Sequence, residues 1–245
     1  MGIILDILIL LVFLLFIVKN TRKTQIRCGL ETICFVLSAA FSVPIATVLA
    51  ELCYSKLFRG ALAHNLEPVL LATSKLSGNF SNYDRVMEKM PSVVRFASES
   101  YQINTEENIA EVERLVSGSP YDAAELITDI VAQPVIEGIF RAVFCVLFFC
   151  GLLYLLKSFA SIIENAMYTP DRASQNTVLC GVYGCFKALV TMSVVVAAIQ
   201  FILPALPTIP FFNTETFSSS FIFRLFYHQN ILVLFLGKGI YPVSL

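Results

Sequence analysis

Four long apolar stretches dominate the chain: Ile3–Val18, Ile33–Ala50, Ile139–Phe159 and Val178–Ile202. Charges within them are few, namely Asp6 in the first, Arg141 and Lys157 in the third and Lys187 in the fourth. A lipid core offers no partner to a backbone N–H or C=O, so each stretch is predicted to be a helix. The first is near the lower length limit of about 17 residues and spans a bilayer if Lys19 and the N-terminus reach the two interfaces. Pro44 removes a backbone donor from the second and predicts a kink there.

Between the second and third stretches the pattern changes to short amphipathic segments. Ser81 or Asn82 opens a short helix through Met90, which Pro91 stops. Asn104 and Glu107 have capping-box spacing, and Ile109, Val112 and Val116 follow at helical intervals. Ser119-Pro120-Tyr121-Asp122 reads as an N-cap, a proline at the first helical position and an acid at the third. The helix it opens carries Ala124, Ile127, Ile130 and Val131 on one side, and Pro134 predicts a kink or break before the third stretch.

After the fourth stretch, Pro204, Pro207 and Pro210 stop the helix. The aromatic-rich tail that follows is cut by Arg224, His228, Gln229 and Asn230, leaving Ile231–Leu236 as its longest clean apolar run. That run is too short for a fifth span, so an interfacial or re-entrant helix is expected, with Ser218–Ser220 as its cap.

Composition agrees with the pattern. The 245 residues are 57% hydrophobic and only 14% charged, too little charge to cover a soluble domain of this length. A net charge of −1 without a basic stripe argues against a nucleic-acid partner. The seven cysteines, at 28, 34, 53, 145, 150, 180 and 185, form no CxxC. The pairs Cys145/Cys150 and Cys180/Cys185 fall on different helix faces, so the cysteines read as small hydrophobes rather than metal ligands or disulfides. No Lys or Arg precedes the first stretch and no small-residue cleavage site follows it, which reads as a retained span rather than a removed signal peptide.

Charge sets the orientation. The loop Lys19–Arg27 holds four positive residues and no acid, which the positive-inside rule places in the cytoplasm. The segment Glu51–Glu137 then lies outside, and its seven Lys/Arg against thirteen Asp/Glu suit that side. The connection at about 160–177 returns to the inside.

Catalytic signals are poor. His64 and His228 are far apart and have no second ligand at metal spacing; HExxH, GxSxG and P-loop patterns are absent. The charges in or beside the spans are more informative because they are costly there. Asp6, Glu31 and Arg141 lie near span ends, where snorkelling to the interface explains them; Lys187 lies about 13 Å into the fourth span, where an acidic partner or a water-filled cleft would help it. Gly181, Gly184, Lys187 and Ala188 share or adjoin one helix face, a small-residue surface that lets another helix approach closely.

These residues together resemble the colicin V production (CvpA) family of bacterial membrane proteins. Asp6, the basic run Lys19–Arg27 and Glu31 stand where the family has an early Asp in span one and a basic loop ending in a Glu at span two. The run Asn176-Thr-Val-Leu-Cys-Gly-Val-Tyr-Gly184-Cys-Phe-Lys187-Ala188 is similar to the opening of the family's last span. Asn176, Gly184 and Lys187 match, Thr177, Cys180 and Ala188 depart, and Gly181 is one place from the expected glycine. The tail Ser218–Leu236 is similar to the post-span helix of some members. The resemblance covers about residues 3–50 and 139–236 and leaves 51–138 as an insertion. It implies a four-span protein of the bacterial cytoplasmic membrane with a role in toxin production or export.

The expected fold class is therefore all-α: a polytopic integral membrane protein of about four transmembrane helices with a helical extracytoplasmic insertion. Its parts are a transmembrane hairpin (1–50), the insertion (51–138), a second hairpin (139–203) and an interfacial helix and tail (204–245). The expected function is a non-enzymatic factor supporting toxin or peptide production or export, or envelope homeostasis, without cofactor or metal. The alternative is an oligomeric channel or transporter with a polar path near Lys187. An intramembrane enzyme has the least support. Expected partners are the lipid bilayer, further copies of the chain, and an envelope or export protein.

Overall fold

The computed structural model describes residues 2–73, 82–98, 103, 105–116, 120–167, 176–202 and 217–229. They form ten α-helices and no strand. In order these are α1 (Gly2–Thr21), α2 (Gln25–Cys53), α3 (Arg59–Thr73), α4 (Asn82–Lys89), α5 (Ser92–Ala97), α6 (Glu106–Val116), α7 (Pro120–Val131), α8 (Gln133–Met167), α9 (Thr177–Ile202) and α10 (Phe221–His228). A single π-helical turn, Tyr54–Phe58, joins α2 to α3 without a loop.

Among the described residues, four helices are long and apolar enough to cross a membrane: α1, the rod Gln25–Pro68 that includes α2, α8 and α9. Their surfaces suit lipid. On α1, Ile3, Ile4, Ile7, Leu11 and Leu14 are exposed, whereas Gly2, Ile9 and Asn20 are its buried residues. In water such a surface would drive aggregation; in hydrocarbon it costs nothing. At 1.5 Å per residue α1 is about 30 Å long, the thickness of a hydrocarbon core, while the 44-residue rod is about 66 Å long, roughly twice that thickness.

Packing follows from which faces carry small or aromatic residues. α2 and α8 form the broadest interface, around Phe35, Ala39, Val43, Ala46, Cys145 and Phe149. α9 lies against α8, α2 and α1, and α1 has its main interface with α9. Pro44 sits inside α2, which stays helical through it. Among the cysteines, Cys28, Cys34, Cys145 and Cys180 are buried, but Cys150 and Cys185 lie exposed on the bundle surface.

The projecting ends of α2 and α8 carry the inserted segment. Leu66, Val86, Val94, Val112, Ile127 and Val135, from six different helices, meet in one buried core. α3 packs along α7, and Arg59 joins them: its guanidinium donates to both oxygens of Asp129, at 2.8 Å from Nη2 and 3.0 Å from Nε, while the Tyr54 hydroxyl donates to the same carboxylate at 2.9 Å. α7 starts at Pro120 and ends at Val131; after a turn at Ala132, α8 begins with Pro134 in its first turn, where a missing N–H costs no hydrogen bond.

One cap differs from the sequence expectation. α6 begins at Glu106, so Thr105 takes the cap position and its hydroxyl accepts from Asn108 N at 3.3 Å. Glu107 is thus at the second helical position, one short of a capping box. α3 and α5 are helices that the apolar pattern did not predict. Ser81, Asn104, Ser119, Pro204, Pro207, Pro210 and Ile231–Leu236 lie outside the described residues.

Candidate functional site

The site forms where α1 ends, α2 begins and α9 passes between them. Gly184 permits the approach: a Cβ there would lie 2.9 Å from both Ile17 Cα and Phe16 O, so α1 rests on bare α9 backbone. Gly181, one turn earlier, has more room, with its nearest neighbour, Thr21 Cγ2, at 3.7 Å. Asn176 caps α9, accepting from Leu179 N at 3.1 Å through its side chain.

This approach brings three elements onto one buried lysine. Lys187 Nζ donates to Glu31 Oε2 on α2 and to Asn20 Oδ1 on α1, each at 2.8 Å. Lys187 is 2% exposed, Asn20 3% and Glu31 8%, so the three are shut off from solvent. The amide orientation of Asn20 is fixed by chemistry. A lysine can only donate, so the carbonyl must face it, and Nδ2 then donates to Cys180 O at 2.8 Å.

Glu31 is the hub. Lys23 Nζ reaches both its oxygens, at 2.5 and 2.6 Å, and Arg27 Nε reaches one at 3.3 Å. Arg27 also faces Glu164 of α8 at 3.7 Å, and the Thr24 hydroxyl donates to Glu164 at 3.5 Å. One carboxylate therefore takes three cations from α9, the α1–α2 turn and α2 itself. In a low-dielectric interior such charge-assisted bonds hold the helices in register.

Beside the network lies a pocket of about 580 Å³. It occupies the gap that α1 leaves against α2 and α8, bridged by an edge-on contact of Phe16 with Phe35 at 5.9 Å. Its polar lining is Lys19, Arg22, Lys23, Lys157, Lys187, Asn20 and Glu31. Lys157, half-buried, places its ammonium 4.6 Å from the centre of the Phe35 ring.

The charges singled out in the sequence thus fall into two groups. Glu31 and Lys187 meet directly, with Gly184 supporting their contact and Gly181 and Asn176 on the same end of α9. Asp6 and Arg141 lie at the opposite end of the bundle. There Asp6 binds α10 rather than reaching for water, accepting from Ser220 Oγ at 2.6 Å, Ile222 N at 2.9 Å and Phe221 N at 3.3 Å. Ser220 in turn caps α10 through Phe223 N at 3.1 Å. Arg141 is buried, 3.8 Å from Glu137, whose other oxygen accepts from Gln133.

Asn20, Lys23, Arg27, Lys157 and Glu164 belong to the site without having been singled out. Their signal was present as a polar residue at a span end, a basic turn and two charges near the end of an apolar stretch. Each has an adequate local explanation, orientation or snorkelling, that hides its role. The described residues contain no cluster of three His, Cys, Asp or Glu side chains able to hold a metal. His64 is exposed, 3.8 Å from Glu67 and remote from the network. Comparison with protein-family models, curated proteins and solved structures finds no match to this chain.

Proposed function

We propose that the chain is a four-span membrane protein of the colicin V production type, with the α1–α2 turn in the cytoplasm and the insertion outside. In this reading it is a non-enzymatic factor supporting toxin or peptide export or envelope homeostasis. One observation carries most weight. Two of the residues that carry the family resemblance, Glu31 and Lys187, form a buried 2.8 Å ion pair. Such a pair explains why a carboxylate and a lysine would stand at those two places. The network is an interhelical tie, and the two thiols beside it, Cys28 and Cys180, donate to the backbone carbonyls of Asn20 and Lys23, which supports a structural or recruiting role. The projecting insertion supplies an outer surface for an envelope partner. Deleting the gene in its native host tests this reading: impaired export or envelope integrity supports it, and unchanged export with an intact envelope counts against it.

A second reading is an oligomeric channel or transporter. Ser38, Ser42, Ser193 and Gln200, buried along α2 and α9, favour it by extending polarity through the bundle. A single bundle closed by the Lys187–Glu31 tie leaves no open path there, so this reading needs several copies. Conductance of the purified chain in planar bilayers that changes in Lys187→Gln supports it, and unchanged conductance removes Lys187 from the path.

A further inference from the structure

We infer that the pocket between α1 and α8 binds the phosphate of an anionic membrane lipid. The inference rests on the reading that the bundle spans a bilayer. Five cationic side chains line the pocket against one carboxylate, Glu31. That carboxylate is already taken by Lys23, Arg27 and Lys187. Among the described residues, Lys19, Arg22 and Lys157 have no carboxylate within ion-pair distance. For exposed Lys19 and Arg22, water suffices. Half-buried Lys157 is different: its ammonium lies over the Phe35 ring, and the two carboxylates with which it shares a smaller cavity, Glu31 and Glu164, are engaged by other cations, so this partly desolvated charge is poorly compensated. The surplus positive charge calls for an anion from outside the chain.

Size and lining say which anion. At about 580 Å³ the pocket is far larger than a bare phosphate and within the range of organic-ligand sites. Leu15, Phe16, Val18 and Phe35 supply apolar walls. Leu15 is 58% exposed and Val18 45%, so the apolar wall continues onto the outer face of α1, which lipid covers in this reading. A free phosphate would satisfy the cations and leave these walls wet. A lipid phosphate satisfies both, with its acyl chain running along α1. The depth agrees: Lys19 and Arg22 stand at the end of a helix about as long as the hydrocarbon core is thick, at headgroup level. Basic pockets between transmembrane helices on the cytoplasmic side are suited to such headgroups.

The test uses the purified full-length chain in micelles, with lipid adducts counted by native mass spectrometry during titration. Phosphatidylglycerol is expected to bind saturably and in preference to phosphatidylcholine, and excess inorganic phosphate is expected not to displace it. Lys157→Gln should weaken binding about fivefold, and Lys19→Gln combined with Lys157→Gln about twenty-five-fold, from roughly 1 kcal/mol per interfacial cation. Lys157→Arg should restore binding, and Lys56→Gln, exposed and on the rod near the insertion, should leave it unchanged; helical circular dichroism confirms that each variant folds. Equal uptake of both lipids, displacement by inorganic phosphate, or wild-type binding by Lys157→Gln would overturn the inference. Loss of lipid binding in a chain that inserts with four spans rejects this site alone; a wrong topology rejects the reading beneath it.

Discussion

Lys187 Nζ and Glu31 Oε2 meet at 2.8 Å between α9 and α2, although 156 residues separate them in the chain. The lysine has no solvent to retreat to, and the carboxylate is held by two further cations from the α1–α2 turn and α2. Breaking a buried pair from one side leaves an uncompensated charge. Lys187→Met should therefore destabilise the bundle by about 3 kcal/mol, the low end of the usual range because Lys23 and Arg27 still neutralise Glu31. The double variant Glu31→Gln/Lys187→Met should lose less than the sum of the single losses. Denaturant unfolding in micelles, followed by helical circular dichroism, measures that cycle.

Gly184 and Gly181 should behave differently despite being three residues apart. A Cβ at 184 meets α1 backbone at 2.9 Å, and backbone cannot rotate away; at 181 the nearest atom is 3.7 Å distant, an ordinary contact. Gly184→Ala is expected to cost about 1–3 kcal/mol through forced separation of α1 from α9. Gly181→Ala should be close to neutral. Unfolding midpoints of the two variants decide this.

Asp6 should govern the docking of α10. Its carboxylate accepts two backbone N–H groups of the first turn and the Ser220 hydroxyl. Asp6→Ala should release the N-terminus of α10, costing about 1–2 kcal/mol, as loss of a helix cap does. Faster hydrogen exchange at Phe221–Phe223 with unchanged exchange in α8 is the expected result.

The insertion has a core separate from that of the spans. Ile127 is fully buried within it, among residues from α3 to α8. Ile127→Ala should destabilise the insertion by about 2–5 kcal/mol. Limited proteolysis is expected to cut between residues 73 and 120 in this variant while the apolar helices stay protected.

The apolar helices were legible because lipid imposes a length and a composition on them. Their full extent was not. α2 starts at Gln25 and α8 at Gln133, beyond the apolar stretches, because a helix continues wherever tertiary contacts cover its ends. α3 escaped prediction for the same reason. Ala63, Leu66 and Leu70 carry helical spacing, but the segment follows the π turn directly, past the point where an apolar run ends. The cost of Lys187 was readable from its depth; its partner was not, because pairing depends on how α1, α2 and α9 pack. The same holds for Lys157, whose position beside Phe35 is set by the contact of α8 with α2.

The proposed arrangement has four spans, with the basic turn inside and the insertion outside. Single cysteines at Arg22, Glu107 and Asn176, all exposed, in a Cys-free background, test it with a membrane-impermeant thiol reagent on intact cells. Labelling is expected at position 107 in intact cells, and at 22 and 176 only after permeabilisation. Labelling of 22 and 176 in intact cells, with 107 protected, would contradict it and place the insertion in the cytoplasm.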